Sequence, residues 1–309
     1  MKMVSKFGGG TLFLSIAVAI ASSASEARTV NFTCGRHGSL TQTVRSLKPG
    51  DVLQVTGTCN ENVVVSEEVH RITVNGQGSA RVNGPDRLRA AISIRGNGIT
   101  VTGFTITGGE DGIHVGRGGT ATIVDNVISN VGRHGIGLSQ GGNARITNNS
   151  VTNSPADGIH VGFGSSARVG FFNFDDGVPV NVGPNTIQNN GRHGILVRGH
   201  ATAQIIQNAI SANTQDGVHV DRVSHALISS NLIDSNGQHG INVQENSGVD
   251  MGADSGTDLD DLPNGTTPTA LNGQFGINCG SNSYADGRLG TLNGAAGPAA
   301  AQGGAPVRG

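Results

Sequence analysis

The sequence is poor in aromatic side chains and in charge. Its 309 residues include no tryptophan, one tyrosine and nine phenylalanines, and charged residues make up 14% of the chain. A large globular core normally buries several aromatic rings, so one such core is not expected. The net charge is −2, and Lys48 is the only lysine beyond the first six residues. This balance excludes the basic stripe of a nucleic-acid-binding surface.

Long hydrophobic runs are also scarce. The run Thr11–Ala21 follows Lys2 and Lys6 and precedes small residues, so residues 1–27 are predicted to be a secretory signal peptide. The run is too short to span a membrane, and no other stretch is long and apolar enough. The mature protein is therefore expected to be secreted or periplasmic, without a membrane span.

Cysteine occurs three times. In an oxidising compartment Cys34 and Cys59 are the natural disulfide pair, because both flank the first predicted strands. Cys279 is left over as a buried, free or intermolecular thiol, and an inward position in the last part of the fold is the favoured interpretation.

Glycine, in contrast, is abundant, with 50 residues, and a five-residue motif repeats along the chain. Successive copies begin 23 or 36 residues apart, and each long step equals the short step plus 13 residues. The copies begin at Asp111 (Asp-Gly-Ile-His-Val), His134, Asp157, His193, Asp216, His239 and, in a weaker form, Phe275. A fixed period in this range indicates a solenoid in which each coil contacts only its neighbours.

A coil of about 23 residues has room for three short strands and three turns, stacked at roughly 4.8 Å. An asparagine stands eight residues before each of the five motifs from His134 to His239, at Asn126, Asn149, Asn185, Asn208 and Asn231. Stacked amides can donate to one neighbour and accept from the other, and asparagine tolerates the left-handed conformation of a sharp corner. The predicted fold is all-β, a solenoid of about nine coils over residues 28–292, with a short N-terminal capping helix within Ser39–Leu47. Residues 293–309 are predicted to be a disordered Gly/Ala-rich tail.

These repeats resemble the right-handed parallel β-helix of the pectate-lyase-like superfamily. The resemblance lies in the Asn-x-(Ile/Val) and Gly-Ile-x-Val repeats and in the entry segments Lys48–Thr56 and Ile72–Gly78, and it covers roughly Thr29–Gly290. The superfamily includes pectate lyases, polygalacturonases, polyuronate C5-epimerases, phage tailspikes and surface proteins with no enzymatic role. The resemblance therefore implies the fold and leaves the activity open.

The first residue of the repeat motif alternates between Asp and His. If the coils stack in register, these residues form one line, here called the ladder: Asp111, His134, Asp157, His193, Asp216 and His239. Alternation avoids the repulsion of stacked like charges, and it should favour ionised Asp and charged His. A second, outward line lies three residues later, here called the outer line: His114, Gly137, His160, Leu196, His219 and Asn242.

Three functions remain open. The protein could bind or process an acidic polysaccharide along the ladder, as a lyase, C5-epimerase or glycoside hydrolase. In that case the base candidates and their partner are His134, His160, His193 and Asp157, and the carboxylate clamps are Arg133 and Arg192. Further substrate contacts are expected from Asp111, His114, Asp216, His219, Phe171 and Phe172. Alternatively, the protein is a non-catalytic structural or surface protein with an architectural ladder, or a metal-binding periplasmic accessory protein.

The catalytic motifs of the superfamily do not match this chain. C5-epimerases of this fold carry Asp-Pro-His where this sequence has Asp-Gly-Ile-His, and polygalacturonases carry Gly-His-Gly where it has Arg133-His134-Gly135. Whether the protein is an enzyme therefore stays open.

Two insertions account for the long steps of the repeat. The first is rich in phenylalanine, and the second, which includes Asp250 and Asp258–Asp261, is acidic. The acidic insertion makes Ca²⁺ the one cofactor to consider, although its spacing matches no known calcium motif. A monomer is expected.

Overall fold

The computed structural model describes residues 27–36, 38–170, 183–252, 262–267, 269–288, 290–292 and 300–301. Over these residues the chain forms an all-β, right-handed parallel solenoid of about nine coils with about 23 residues per coil, which confirms the predicted fold class. The predicted signal peptide up to residue 26, Phe171 and Phe172, and all of the predicted tail except Ala300 and Ala301 lie outside the described residues.

One face of the solenoid, here called the front sheet, is built from the repeat motifs. Within the described residues it has ten parallel strands. They are Val63–Val65, Ile92–Ile94, Ile113–Val115, Ile136–Leu138, Ile159–Gly162, Ile195–Arg198, Val218–Asp221, Ile241–Val243, Ile277–Cys279 and Ala300–Ala301. Ile113, Ile136 and Ile159 pair directly across neighbouring strands, and all three are fully buried. Each coil therefore packs its apolar residues onto the same positions of the next coil.

The other walls form a second, larger sheet, here called the back sheet, with 17 strands in the described residues. They are Thr29–Thr33, Val52–Thr56, Thr58–Asn60, Thr73–Gly84, Ile99–Gly108, Thr120–Val124, Val127–Ser129, Asn143–Thr147, Ser150–Thr152, Ser166–Gly170, Thr186–Gln188, Thr202–Ile206, Ala209–Ser211, His225–Ser229, Leu232–Asp234, Gly248–Met251 and Tyr284–Asp286. From Thr120 onward most coils contribute two strands to this sheet and one to the front sheet, as the repeat length predicts.

The predicted asparagine stack is present at one corner inside the back sheet. Asn149 Nδ2 donates to Oδ1 of Asn185 at 3.0 Å and to the backbone carbonyl of Ile123 at 2.9 Å. Both asparagines are buried. The left-handed residue at this corner is the one before the stacked asparagine, for example Asn148 with φ 52°. The stacked amide therefore satisfies corner carbonyls, and its neighbour makes the turn.

A second asparagine stack, not predicted from the sequence, lies three residues before the later motifs. Its members are Asn190, Asn213, Asn236 and Asn272. Each amide donates to Oδ1 of the next at 2.9 Å. Buried backbone carbonyls accept from these amides as well, so the corner leaves few polar groups unpaired.

A glycine follows every ladder residue because the coils come very close there. A Cβ atom at Gly135 would lie 2.7 Å from the carbonyl oxygen of Gly158, and one at Gly158 would lie 2.7 Å from that of Gly194. No ordinary side chain fits this gap. The strict Gly at the second motif position is thus a packing requirement of the corner.

The N-terminal end is closed by the predicted helix, which spans Leu40–Arg45 and has Ser39 as its N-cap. Thr41 Oγ1 accepts a hydrogen bond from the backbone N–H of Val64, on the first strand of the front sheet. Leu40 and Val44 are buried against the core. The helix is shorter than the predicted segment Ser39–Leu47, because it ends at Arg45. No helix in the described residues is long and apolar enough to cross a membrane.

The cysteines are arranged as predicted. Cys34 and Cys59 form a disulfide, with their Cα atoms 4.9 Å apart. Cys279 is a free thiol that points into the core from the front sheet, and burial raises its pKa to about 11. A thiol so protected from ionisation is a packing residue rather than a nucleophile.

The asparagine stack should be essential for stability. Asn208→Ala removes donors to the Val169 carbonyl and to Asn231, and it deprives Asn185 of its acceptor. We expect a loss of about 2–3 kcal/mol in the free energy of unfolding, measured by urea titration. Asn60→Ala, which alters an exposed amide pair, should cost less than about 0.5 kcal/mol. Equal losses for both variants would contradict a structural role specific to the stack.

Candidate functional site

The ladder forms as predicted, but it lies inside the corner rather than on the surface. All six of its side chains are buried, and Asp157 is fully inaccessible. The ladder side chains lie beneath the outer line, where Oδ2 of Asp111 is 2.9 Å from Nδ1 of the outer-line residue His114. The second strand position faces outward, as parity predicts, and His114 keeps 27% of its side chain exposed.

The ladder consists of separate His–Asp pairs rather than one continuous row of side-chain contacts. His134 Nδ1 lies 3.2 Å from Oδ2 of Asp157, and His193 Nδ1 lies 3.2 Å from Oδ2 of Asp216. No ladder imidazole contacts the carboxylate on its other side in the described residues; there Asp157 Oδ1 accepts from the backbone amide of His193 at 3.3 Å. His134 and His193 therefore each pair with the carboxylate of the following coil.

Asp111, at the start of the ladder, has no imidazole below it, since the paired coil places Ala90 there. Arg133 pairs with the Asp111 carboxylate in place of an imidazole. It donates two hydrogen bonds, from Nε to Oδ1 at 3.1 Å and from Nη2 to Oδ2 at 3.0 Å. His114 Nδ1 lies 2.9 Å from the same Oδ2, and its Nε2 lies 3.0 Å from Oγ of Ser139. Asp111 therefore fixes both Arg133 and His114.

Asp157 joins two histidines of different coils. Its Oδ2 lies 3.2 Å from Nδ1 of His134 and 3.3 Å from Nδ1 of His160. The two imidazole rings lie 4.4 Å apart with a 41° tilt. Arg192 approaches the same oxygen at 3.9 Å. In the described part of the chain no hydrogen-bond partner lies on His160 Nε2, so this nitrogen is available to a ligand.

Asp216 repeats this arrangement with one addition. Its Oδ2 lies 3.2 Å from Nδ1 of His193 and 2.8 Å from Nδ1 of His219, whose rings stack 4.4 Å apart. Asn242 Nδ2 also donates to this oxygen at 3.0 Å. The equivalent outer-line residue above Asp157 is Leu196, which cannot donate. Asp216 is thus more completely satisfied than Asp157.

All three ladder carboxylates are ionised, as predicted. Burial alone raises the pKa of a carboxyl group, but at these sites hydrogen bonds and charge outweigh it. For Asp111 the donors are His114 and Arg133, and for Asp157 they are the two histidines; the pKa of each lies far below its usual range. The pKa of Asp216 is lowered in the same way.

The expectation that the ladder histidines favour their charged form is wrong for His239. Burial lowers its pKa, and the carboxylate of Asp216 only partly opposes this. The next motif begins with Phe275, whose ring stacks on His239 at 5.5 Å, so no acid stands above it. On the outer line, burial also lowers the pKa of His160, against the hydrogen bond that its Nδ1 makes to Asp157.

Two clefts lie over these residues on the outer surface of the front sheet. One has a volume of about 500 Å³, and the other about 430 Å³. Both are lined by Asp111, His114 and Arg133, so they form one continuous groove along the solenoid axis, here called the front groove. The first cleft also contains His134, His160, Arg192 and Phe163 of the phenylalanine-rich insertion. Three further lining residues were not suggested by the sequence: Ser139, Gln140 and Arg198.

The groove gathers part of the predicted site. Its lining includes His134, His160, Arg133, Arg192, Asp111 and His114, while Asp157 lies buried beneath them. His193, Asp216 and His219 form the second cluster and do not line this groove. The missed residues stand five or six positions after the motif start, so extending the alignment past the motif would have revealed them.

Two clusters combine ligand types that suit divalent metals. They are His134, Asp157, His160 and His193, Asp216, His219, each with ligand atoms within 4.8 Å of one another. In the first cluster the Oδ2–Nδ1 separations match the roughly 3.3 Å between two ligands on a tetrahedral zinc. In the second, the shorter contact and the Asn242 donor indicate hydrogen bonding instead. Of the acidic insertion, Asp250 pairs with His225 at 3.2 Å, and its other aspartates lie outside the described residues.

Comparison with known proteins agrees with this architecture. A family model described as "Right handed beta helix region" matches residues 90–178 and 169–255, which is more than half of the chain. The chain belongs to the right-handed β-helix family. The resemblance inferred from its repeats is thus confirmed.

Among similar proteins, a cell surface glycoprotein of Methanothermus fervidus is 31% identical over 86 residues, which are 28% of this chain and only 14% of that protein. An alginate lyase from Paenibacillus sp. str. FPU-7 shares the fold, with a TM-score of 0.56, 16% identity, and coverage of 87% of this chain and 96% of that one. The A-module of the Azotobacter vinelandii mannuronan C-5 epimerase AlgE6 gives a TM-score of 0.49 and 14% identity, with coverage of 90% and 89%.

The Asp111 contacts give a test of the ladder's electrostatics. Asp111→Asn removes the charge that holds Arg133 and His114, and we expect a loss of about 1.5–3 kcal/mol in unfolding free energy at pH 7. The folded-state pKa is depressed, so this contribution is complete above about pH 4 and disappears as the pH falls further. Denaturant titrations at several pH values should show the two proteins converging at low pH.

The matched control is Asp86→Asn, which removes a carboxylate from an exposed ion pair with Arg89. Exposed pairs contribute little, so this variant should lose less than about 1 kcal/mol at any pH. A pH-independent difference between Asp111→Asn and the wild type would contradict an ionised Asp111.

Proposed function

We propose that the front groove binds an acidic polysaccharide and that the protein acts on it by removing a proton from a uronate ring. One observation carries this proposal, namely the charge of the groove. Its lining has five guanidinium groups, from Arg89, Arg95, Arg133, Arg192 and Arg198. The same lining has two carboxylates, from Glu110 and Asp111. Within the lining, guanidinium groups outnumber carboxylates, which favours a polyanion. At its edges Arg89, Arg95 and Arg198 also lie within 4 Å of Asp86, Glu67 and Asp221.

The shape of the groove supports a polymer rather than a small ion. Two clefts of several hundred cubic ångströms join end to end along the solenoid axis. Arginine is suited to this task because its planar guanidinium can pair with a carboxylate through two hydrogen bonds. Arg192 is 42% exposed, and its nearest carboxylate in the described structure is 3.9 Å away, so it can turn to a ligand.

The proposed base is His160. Its Nδ1 faces the buried carboxylate of Asp157, which orients the ring, and its Nε2 has no partner among the described residues. A buried acid that holds an imidazole in place is the arrangement by which a histidine becomes an effective general base. Because burial lowers the pKa of His160, its neutral, proton-accepting form is favoured at neutral pH. The ring of His134, tilted against that of His160 at 4.4 Å, would then share the negative field of Asp157.

Hydrolysis is less favoured by this geometry. A glycoside hydrolase needs two carboxyl groups that reach the scissile bond. Asp111, Asp157 and Asp216 are buried and hydrogen-bonded to histidine or arginine. The exposed carboxylate of the groove, Glu110, is paired with Arg133 at 3.0 Å. We therefore place lyase or C5-epimerase chemistry ahead of hydrolysis.

We further propose that the protein works outside the cytoplasm, as its disulfide favours an oxidising compartment. The cell surface glycoprotein and the alginate lyase among the similar proteins support an extracellular, carbohydrate-associated role. The rival proposal is a non-catalytic surface protein whose ladder only stabilises the coils. The two proposals differ in what the loss of the His160 side chain would change.

His160→Ala should abolish activity without unfolding the protein. We expect product formation from polygalacturonate or alginate to fall by at least about 100-fold, because general base catalysis contributes that much. The melting temperature should fall by a few degrees at most, because Asp157 keeps its contact with Nδ1 of His134 at 3.2 Å. The measurement is the rate at which unsaturated uronate ends or epimerised residues form.

His70→Ala is the control, since His70 is exposed and does not line the front groove, and it should keep wild-type rates. Activity retained by His160→Ala would contradict the assignment of the base. A wild-type protein that is inactive on every acidic polysaccharide tested would favour the scaffold.

Metal binding is the second candidate, supported by the ligand spacing in the His134, Asp157 and His160 cluster. If the cluster holds zinc, micromolar zinc should raise the melting temperature of the chelator-treated protein by several degrees. His134→Ala should lose that increase, whereas His219→Ala, in the fully hydrogen-bonded second cluster, should keep it. Thermal scanning with and without zinc makes the comparison, and no response in the wild type would exclude this candidate.

A further inference from the structure

Three polar side chains of the front groove form a hydrogen-bonded chain that the proposed proton abstraction does not use. Oδ2 of Asp111 lies 2.9 Å from Nδ1 of His114, and Nε2 of the same imidazole lies 3.0 Å from Oγ of Ser139. All three residues line the larger cleft of the groove. An acid, an imidazole and a hydroxyl joined in this order form the constellation that activates a serine as a nucleophile, and it is recognised by geometry rather than by sequence motif.

The environment of each group suits its role in such a chain. Asp111 is buried and ionised, so its carboxylate accepts the hydrogen of His114 Nδ1. In a neutral imidazole held in this way Nε2 is an acceptor, and the hydroxyl of Ser139 is its donor. His114 keeps 27% of its side chain exposed, and Ser139 is partly buried. Both side chains can therefore meet a ligand in the cleft.

The hydroxyl beside His114 is a departure from the repeat. Ser139 stands on the following coil, two positions after Gly137, which pairs with His114 across the front sheet. The equivalent positions next to the other two histidines of the outer line hold Arg198 and Gln244. Among the described residues, only the first Asp-x-x-His pair has a hydroxyl within hydrogen-bond distance of the outer imidazole nitrogen.

Two glycines leave the imidazole the room that this arrangement needs. A Cβ atom at Gly116 would lie 3.0 Å from Nε2 of His114. One at Gly137 would lie 2.8 Å from Oδ2 of Asp111 and 3.3 Å from Nδ1 of His114. A side chain at either position would press on the imidazole or on its carboxylate. Because Gly137 has no side chain, the outer line is open beside His114.

A donor for the oxyanion of an acyl-transfer reaction follows Ser139 in the chain. Gln140 is exposed, and its backbone N–H donates to no group in the part of the chain that the structure describes. The N–H of the residue after a nucleophilic serine is a common member of an oxyanion hole. The guanidinium groups of Arg192 and Arg198, in the same cleft, add positive charge that favours a developing oxyanion.

We propose that Asp111, His114 and Ser139 hydrolyse carboxylic esters carried by an acidic polysaccharide in the front groove. Ser139 Oγ attacks the ester carbonyl carbon and its proton moves to His114 Nε2; the bond from this carbon to the alcohol oxygen then breaks, and the alcohol leaves with that proton. Water next attacks the acyl-serine and gives a proton to His114. The bond to Ser139 Oγ breaks, the carboxylic acid leaves, and the proton returns to Ser139. The polymer as carrier of the ester rests on the proposed function, whereas the serine chemistry does not.

The first test is labelling with a fluorophosphonate, which an activated serine attacks at phosphorus with loss of fluoride. We expect one adduct per wild-type chain, mapped to Ser139 by peptide mass spectrometry, so the result does not depend on the folding of a variant. His114→Ala should slow labelling by at least about 100-fold, because the general base is removed. Ser150→Ala, on the back sheet, should be labelled as fast as the wild type. No adduct, or an adduct at another serine, would overturn the proposal.

The second test supplies O-acetylated and methyl-esterified polygalacturonate and measures the release of acetate and of methanol. Release of either product, lost in Ser139→Ala at an unchanged melting temperature, supports the proposal and shows which ester is accepted. Release of neither by a protein that is labelled at Ser139 would overturn the polysaccharide ester as the substrate. Unsaturated ends and epimerised residues are measured in the same samples, so failure of the proton abstraction is distinguished from failure of the ester hydrolysis.

Discussion

Backbone hydrogen bonds between successive coils determine where every side chain of this protein lies. Parallel pairing in strict register places each residue beside its equivalent in the next coil, on both sheets. Any polar residue inside the solenoid must therefore be satisfied by its own repeat. Asparagine meets this condition because one amide both donates and accepts. Aspartate and histidine meet it only by alternating, which is what the ladder does.

The same constraint produces the candidate sites. The ladder keeps ionised carboxylates beneath the front sheet, and these hold the imidazoles and Arg133 that line the groove above. A buried carboxylate that contacts a partly exposed imidazole stabilises the coils, and the same arrangement suits proton transfer. The ladder can therefore serve both stability and catalysis. The front groove runs along the solenoid axis because the repeat does.

Much of the fold could be predicted from the sequence, because the 23-residue period, the motif glycine and the asparagine position each have one physical meaning in a solenoid. The residues of the ladder could also be predicted. Which Asp each His contacts could not, because the direction of the His134 side chain depends on its rotamer at a corner just before Gly135. The lowered pKa of His239 depends on burial and on the stacked ring of Phe275. Ser139, Gln140 and Arg198 stand five or six positions after the start of their motifs, so the five-residue motif alone does not include them.

The central claim, that the front groove removes a proton from a uronate ring, is tested most directly by isotope exchange. The protein would be incubated with polygalacturonate and with alginate in heavy water, and the products would be read by mass spectrometry. The account predicts one of two results: deuterium incorporated into chains of unchanged length, as in epimerisation, or shortened chains with unsaturated ends, as in elimination. Hydrated ends without exchange, or unchanged polymer with every substrate, would contradict it and leave the ladder as a scaffold.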